Sequence, residues 1–153
     1  MINMYKKDYE KSRKYELDFE KKLQQKYNLL TEHTDEEKYF PYWDISSTAT
    51  TTNRVITFEV KYTGTKDKIY IEDGQMVDGK FKPTCLKLTT AEYYVFGDDN
   101  EPVYHLIKTD KIREFCYEKT NQKHRELFWD KNNYRLFIFE KEFIYTHSIK
   151  IQK

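Results

Sequence analysis

Across residues 6–30 the chain carries no glycine or proline, and Tyr15, Phe19, Leu23 and Tyr27 recur every fourth residue. That spacing stacks four large side chains on one side of an α-helix and does not fit a strand, whose side chains alternate with a period of two. A helix with such a stripe needs an apolar surface to cover it. Extended, β-prone runs follow at residues 39–45, 54–62, 68–72, 92–96 and 103–108. A long N-terminal helix ahead of several strands predicts a mixed α/β, or α+β, fold with that helix packed on a central mixed sheet.

The connections are written in turn chemistry. The polar tract at residues 48–53 separates two β-prone runs and is expected to close a hairpin. Asp73-Gly74 and Asp78-Gly79 read as turns, and residues 97–100 as a tight connection between two strands. Thr109 offers an N-cap to Ile112, Phe115 and Cys116 at helical spacing, so a short helix is expected there. Residues 134–139 and 143–147 alternate weakly and read as a C-terminal β-hairpin extension. No linker-like stretch divides the chain, and 153 residues suffice for one core, so residues 1–153 are expected to form a single domain.

Aromatic residues make up 17% of a chain that is only 38% apolar, so the core must lean on Tyr and Phe. A net charge of +1 excludes a strongly basic nucleic-acid binder and leaves any such affinity to local patches. Cys85 and Cys116 have neither zinc-ligand spacing nor a disulfide framework around them and are expected to be reduced. His33, His105, His124 and His147 are scattered without metal-ligand spacing. The first residues lack the apolar run of a signal peptide, and no stretch reaches the ~18 apolar residues of a membrane span. A soluble, cytoplasmic protein with no membrane partner is the expectation.

Two strand candidates carry acids where apolar residues are expected. Asp44 lies between Trp43 and Ile45, and Glu59 and Lys61 flank Val60. Alternation puts Glu59 and Lys61 on one face, with Phe58 and Val60 on the other. If residues 48–53 close a hairpin, Asp44 approaches Glu59, and two carboxylates that close repel unless a divalent cation lies between them. Hard oxygen donors suit Mg²⁺, with Mn²⁺ as a substitute, and Lys61 beside them is placed to orient a water or stabilise phosphoryl charge. That chemistry is phosphodiester hydrolysis. Glu20, on the flank of the helical stripe, is a further candidate catalytic and metal-binding residue. Glu16, one turn earlier, is its substitute, and Glu72 is a secondary ligand candidate.

At these residues the chain resembles the PD-(D/E)xK, or restriction-endonuclease-like, superfamily, in which a helical Glu, a strand Asp and a Glu-x-Lys strand occur in that order. Here they are Glu20, Trp43-Asp44-Ile45 and Phe58-Glu59-Val60-Lys61. The segments Ile69-Tyr70-Ile71-Glu72, Thr89-Thr90-Ala91-Glu92-Tyr93-Tyr94 and Tyr104-His105-Leu106-Ile107-Lys108 are similar to those of small phage-type members. The likeness spans residues 15–116. It departs where Tyr42-Trp43 replaces the Pro that often precedes the Asp, and where Cys85-Leu86-Lys87-Leu88 replaces a Gly-containing turn.

The resemblance implies a restriction-endonuclease-like core and a metal-dependent DNA endonuclease, structure-selective if resolvase-like, acting in the host cytoplasm if phage-encoded. A homodimer is compatible with cutting both strands. For DNA contacts, Lys119, Lys123 and Arg125 form a locally basic stretch, and Tyr93 is a candidate base-stacking ring. The alternative is a nuclease-like domain that no longer cuts and serves as a nucleic-acid-binding or protein-interaction module.

Overall fold

The computed structural model describes residues 4–34, 38–64 and 67–153, with side chains from Tyr9 onward. Helix α1 (Met4–Tyr27) comes first, as its stripe requires. It is followed by β1 (Leu30–His33), β2 (Ile45–Thr48), β3 (Val55–Tyr62), β4 (Lys68–Val77) and β5 (Lys80–Pro83). A one-turn α2 (Cys85–Leu88) leads to β6 (Tyr93–Gly97) and β7 (Val103–Lys108), then α3 (Thr109–Tyr117) and a 3₁₀ turn (Lys119–His124). The chain ends with β8 (Arg125–Trp129), β9 (Tyr134–Glu140), α4 (Lys141–Thr146) and β10 (Ile149–Gln152).

These elements form a mixed α+β structure with two sheets. The larger has six strands in the order β1-β2-β3-β6-β7-β10. Only its central β3–β6 pair is parallel. The smaller is antiparallel, in the order β5-β4-β9-β8. A parallel pair needs a long crossover, and residues 63–92 supply it while contributing β4 and β5 to the second sheet.

Strand alternation sends Phe58 and Val60 of β3, Val95 of β6 and Tyr104 and Leu106 of β7 to one face, where Tyr15, Phe19 and Leu23 of α1 cover them. Phe19 is fully buried, edge-on to Phe58 at 5.2 Å and to Tyr104 at 5.0 Å. Gly97 makes this packing possible, because a Cβ there would collide with the Tyr15 hydroxyl. Tyr27, the last member of the stripe, is exposed at the helix end. On the opposite face Tyr94, Phe96 and Ile107 meet α3, Leu86 of α2 and the inner side of the second sheet through Ile69, Ile71, Phe137 and Phe139. The central sheet is thus covered on both sides, by α1 and by a second layer.

Several local expectations are corrected. Residues 39–44 are not a strand; β2 starts at Ile45, and the Tyr42 carbonyl instead accepts from Thr90 N, Ala91 N and the Thr89 hydroxyl. Asp73-Gly74 is not a turn but an interior irregularity of β4. Asp73 is fully buried there because Arg135 and Tyr117 satisfy its carboxylate, and Gly74 is needed because a Cβ would strike the Phe81 ring. Asp78-Gly79 does turn the chain, with φ of 50° and 74°, as a hairpin of type I′ requires.

The C-terminal hairpin exists with a different partner: β9 pairs with β8, and residues 141–146 are helical. An i, i+4 spacing puts Phe143 against His147 at 4.9 Å and drops Ile144 into the core. A strand would have sent Phe143 and Ile144 to opposite faces. Strands β1 and β10, both short and mostly exposed, are additions at the two sheet edges.

Candidate active site

The β2–β3 register pairs Ile45 with Phe58, which sets Asp44 beside Glu59 one step further along. Asp44 immediately precedes β2. Its N–H donates to Phe58 O at 2.8 Å, and its Oδ2 accepts the Val60 N–H at 2.7 Å, a bond that a longer β2 would have supplied from its backbone. The carboxylate therefore lies close to the plane of the sheet and is reached from both sides.

On one side stand Glu59 and Lys61. Glu59 is 7% exposed, its Oε1 is 2.7 Å from Lys61 Nζ, and its Oε2 is 3.4 Å from the Thr89 hydroxyl. Burial opposes a charge on Lys61, yet Glu59 and then Asp44 hold its ammonium well above the ordinary lysine range. Burial and the neighbouring Glu59 raise Asp44 to about 6, with Lys61, the Val60 N–H and Arg13 pulling the other way. With both carboxylates ionised, the half-buried Asp44, the buried Glu59 and the Lys61 ammonium carry one more negative charge than positive.

On the helix side the residue in electrostatic reach is Glu16. Burial and Asp44 raise it to about 7, against the pull of Arg13 and Lys61. Arg13 Nη1 donates to Glu16 Oε1 at 3.0 Å and Nη2 to Thr34 O at 3.0 Å, which ties α1 to the segment leading to the site. Glu20 is also buried, but its carboxylate faces His33 Nδ1 at 3.0 and 3.1 Å. Of the two helical acids, the substitute candidate Glu16 is the one whose carboxyl Asp44 pushes up, while Glu20 is engaged by His33.

Asp44, Glu59 and Glu72 line a cleft of about 360 Å³. Glu72 stands on its far wall, where its Oε2 accepts from the Thr84 hydroxyl at 2.6 Å and from Cys85 Sγ at 3.1 Å. Burial pushes the Cys85 thiol up to about 12, with Lys61 opposing and Glu72 reinforcing the rise, so the group is not a thiolate nucleophile at neutral pH. Lys82 of β5 and the aromatic rings of Tyr39 and Phe40 stand at the rim. No histidine lines the cleft among the described residues. A larger hollow of about 590 Å³ beside Glu101, His105 and Tyr145 contains none of these site residues.

The other nucleic-acid candidates lie elsewhere. Lys119 and Lys123 are exposed on the 3₁₀ turn, and Arg125 is spent on the carbonyls of Phe115 and Glu118 at 2.8 and 2.7 Å. Tyr93 is half-buried and stacked on Phe58 at 6.1 Å. None of the four lines the cleft. Sequence reasoning missed Arg13, Thr89 and Lys82. Arg13 carried a legible signal in its i, i+3 spacing to Glu16; Thr89 and Lys82 reach the site only through tertiary contacts. The chain matches no protein-family model, no curated protein and no solved structure.

Proposed function

We propose that the chain is a metal-dependent DNA endonuclease that hydrolyses phosphodiester bonds, with Asp44, Glu59 and Lys61 as its centre and a resolvase-like preference for structured DNA. The observation that carries this reading is the β2–β3 register, which sets the half-buried Asp44 beside the buried Glu59 on the wall of one cleft, with the Lys61 ammonium 2.7 Å from Glu59.

The donor set suits Mg²⁺. Its carboxylate oxygens are hard, and Asp44, raised first by burial and then by the neighbouring Glu59, would be relieved by a cation. Among the described residues no three His, Cys, Asp or Glu side chains form a group able to hold a metal. Mg²⁺ is commonly held by one or two carboxylates together with waters and substrate phosphate. When bound, the ion supplies an acidified water and a polarised phosphoryl group.

The chain's own residues do the rest. Val60 fixes the Asp44 carboxylate, Lys61 pairs with Glu59, and the Lys61 ammonium is held charged and would favour phosphoryl charge near it. Lys82 adds positive charge at the rim. The resemblance to PD-(D/E)xK nucleases, which rests on the same three residues in the same order, is in line with this reading.

The deciding assay is cleavage of branched, duplex and single-stranded DNA with and without Mg²⁺ or Mn²⁺. Metal-dependent cutting is expected, and its loss in Lys61→Ala and Asp44→Asn; full activity in both purified variants sinks the mechanism. One observation favours the non-cutting alternative, the 2.7 Å ion pair that already engages Lys61 with Glu59. Binding of DNA without cutting under every metal condition would select it.

A further inference from the structure

We infer that the mouth of the Asp44–Glu59 cleft seats one unpaired nucleotide of a DNA strand, with the ring of Tyr39 as its stacking platform. The identity of the ligand rests on the nuclease reading above; the choice of an unpaired base rests on the shape and chemistry of the rim.

Tyr39 is 83% exposed and packs against no other ring among the described residues, yet it lines the cleft that holds Asp44 and Glu59. A single exposed ring is ordinary on a protein surface; what distinguishes Tyr39 is that it lines the same cleft as Asp44 and Glu59. The segment that carries it is braced: Phe40 lies edge-on to Tyr42 at 5.3 Å and to Trp43 at 4.9 Å, while the Tyr42 carbonyl is held by residues 89–91. Tyr39 is therefore carried next to a braced stretch, five residues ahead of Asp44 in the chain and on the wall of the same cleft. Lys82, exposed on β5, lines the same cleft and is suited to a phosphate on the same strand.

A base inside a duplex has both faces covered by its neighbours and offers only its edges, so it cannot stack on Tyr39. An unpaired or extruded base offers a free face. The cleft volume, about 360 Å³, lies near the lower end of pockets that enclose single small ligands. That room suits one base with its sugar rather than a pair with two backbones. Stacking is tolerant of base identity, so this site selects strandedness and not sequence.

The test is anisotropy of labelled DNA in the Asp44→Asn background, where strands stay intact, comparing an oligothymidine with a paired duplex of equal length. Adding Tyr39→Ala is expected to weaken the single strand by roughly 5- to 150-fold and to leave the duplex unchanged, whereas Tyr39→Phe retains tight binding because the face, not the hydroxyl, is used. Equal losses on both DNAs, no loss on either, or a Tyr39→Phe defect matching that of Tyr39→Ala overturns the inference. Cleavage by the unmodified chain separates the two readings. Metal-dependent cutting of duplex alone, indifferent to Tyr39→Ala, refutes the stacking site and keeps the nuclease. Tyr39-dependent single-strand binding without cutting under any metal condition does the reverse.

Discussion

Replacing Asp44 by Asn should abolish cleavage and at the same time make the protein more stable. The Asp44 carboxyl lies at about 6 against an ordinary 3.8, chiefly through burial and then through Glu59. Each pH unit of such a difference is worth about 1.36 kcal/mol, so ionised Asp44 costs the fold on the order of 3 kcal/mol at neutral pH. Partial exposure and coupling to Glu59 discount this to about 1–2 kcal/mol. Asn keeps an oxygen for the Val60 N–H and removes the negative charge, so most of that cost should be recovered.

The sign fixes the pH window. Below about pH 4 Asp44 is protonated in both folded and unfolded chains, and the two proteins should be equally stable. Between about 4 and 6 the unfolded wild-type chain ionises first, so wild type loses stability relative to Asp44→Asn. Above about 6 the full difference persists. Urea titrations of both proteins at pH 3.8, 5 and 7.5, run without metal, would show a gain that grows with pH. Saturating Mg²⁺ should shrink it, because only the wild-type site binds the ion. Destabilisation at pH 7.5, or a gain of equal size at pH 3.8, would refute the reasoning, since either means that the Asp44 charge is not what strains this strand pair.

Two further outcomes separate neighbours that look alike in sequence. Glu16→Gln should erase an inflection near pH 7 in the cleavage-rate profile, because Glu16 titrates at about 7 beside Asp44. Glu20→Gln should leave that profile intact and cost only about 1 kcal/mol of stability through its His33 contact, as unfolding curves would show. Away from the site, Asp73→Ala should cost about 3 kcal/mol in urea unfolding. It strips the buried acceptor from Arg135 Nε and Nη2 at 2.8 and 2.6 Å and from the Tyr117 hydroxyl at 2.7 Å. Recovery of wild-type stability in that variant would mean that Arg135 finds water without strain.

Among the described residues no helix is long and apolar enough to cross a membrane. The same sparse apolar content explains how the core is built: aromatic rings such as Tyr15, Phe19, Phe58, Tyr94 and Phe96 do what aliphatic side chains do in leaner sequences. Two of the most buried acids, Glu59 and Asp73, are each held against a cation, Lys61 and Arg135, which is how carboxylates tolerate such positions.

What the sequence determined by itself is what period and turn chemistry encode locally. The i+4 ring stripe made α1 legible, the Glu59–Val60–Lys61 alternation put an acid and a base on one strand face, and the polar tract after β2 set Asp44 opposite Glu59. Tertiary structure decided whatever depended on a partner distant in sequence. Asp73-Gly74 looked like a turn because nothing nearby announces that Arg135 will neutralise a buried carboxylate in mid-strand. Residues 143–147 looked extended because alternation and helical spacing agree too closely over so short a run, and the aromatic pocket around Phe143 resolved the choice. That Glu16 feels the Asp44 charge while Glu20 meets His33 follows for a similar reason. A helix defines its own apolar face, but only the neighbours against which that face settles decide what each flanking acid meets.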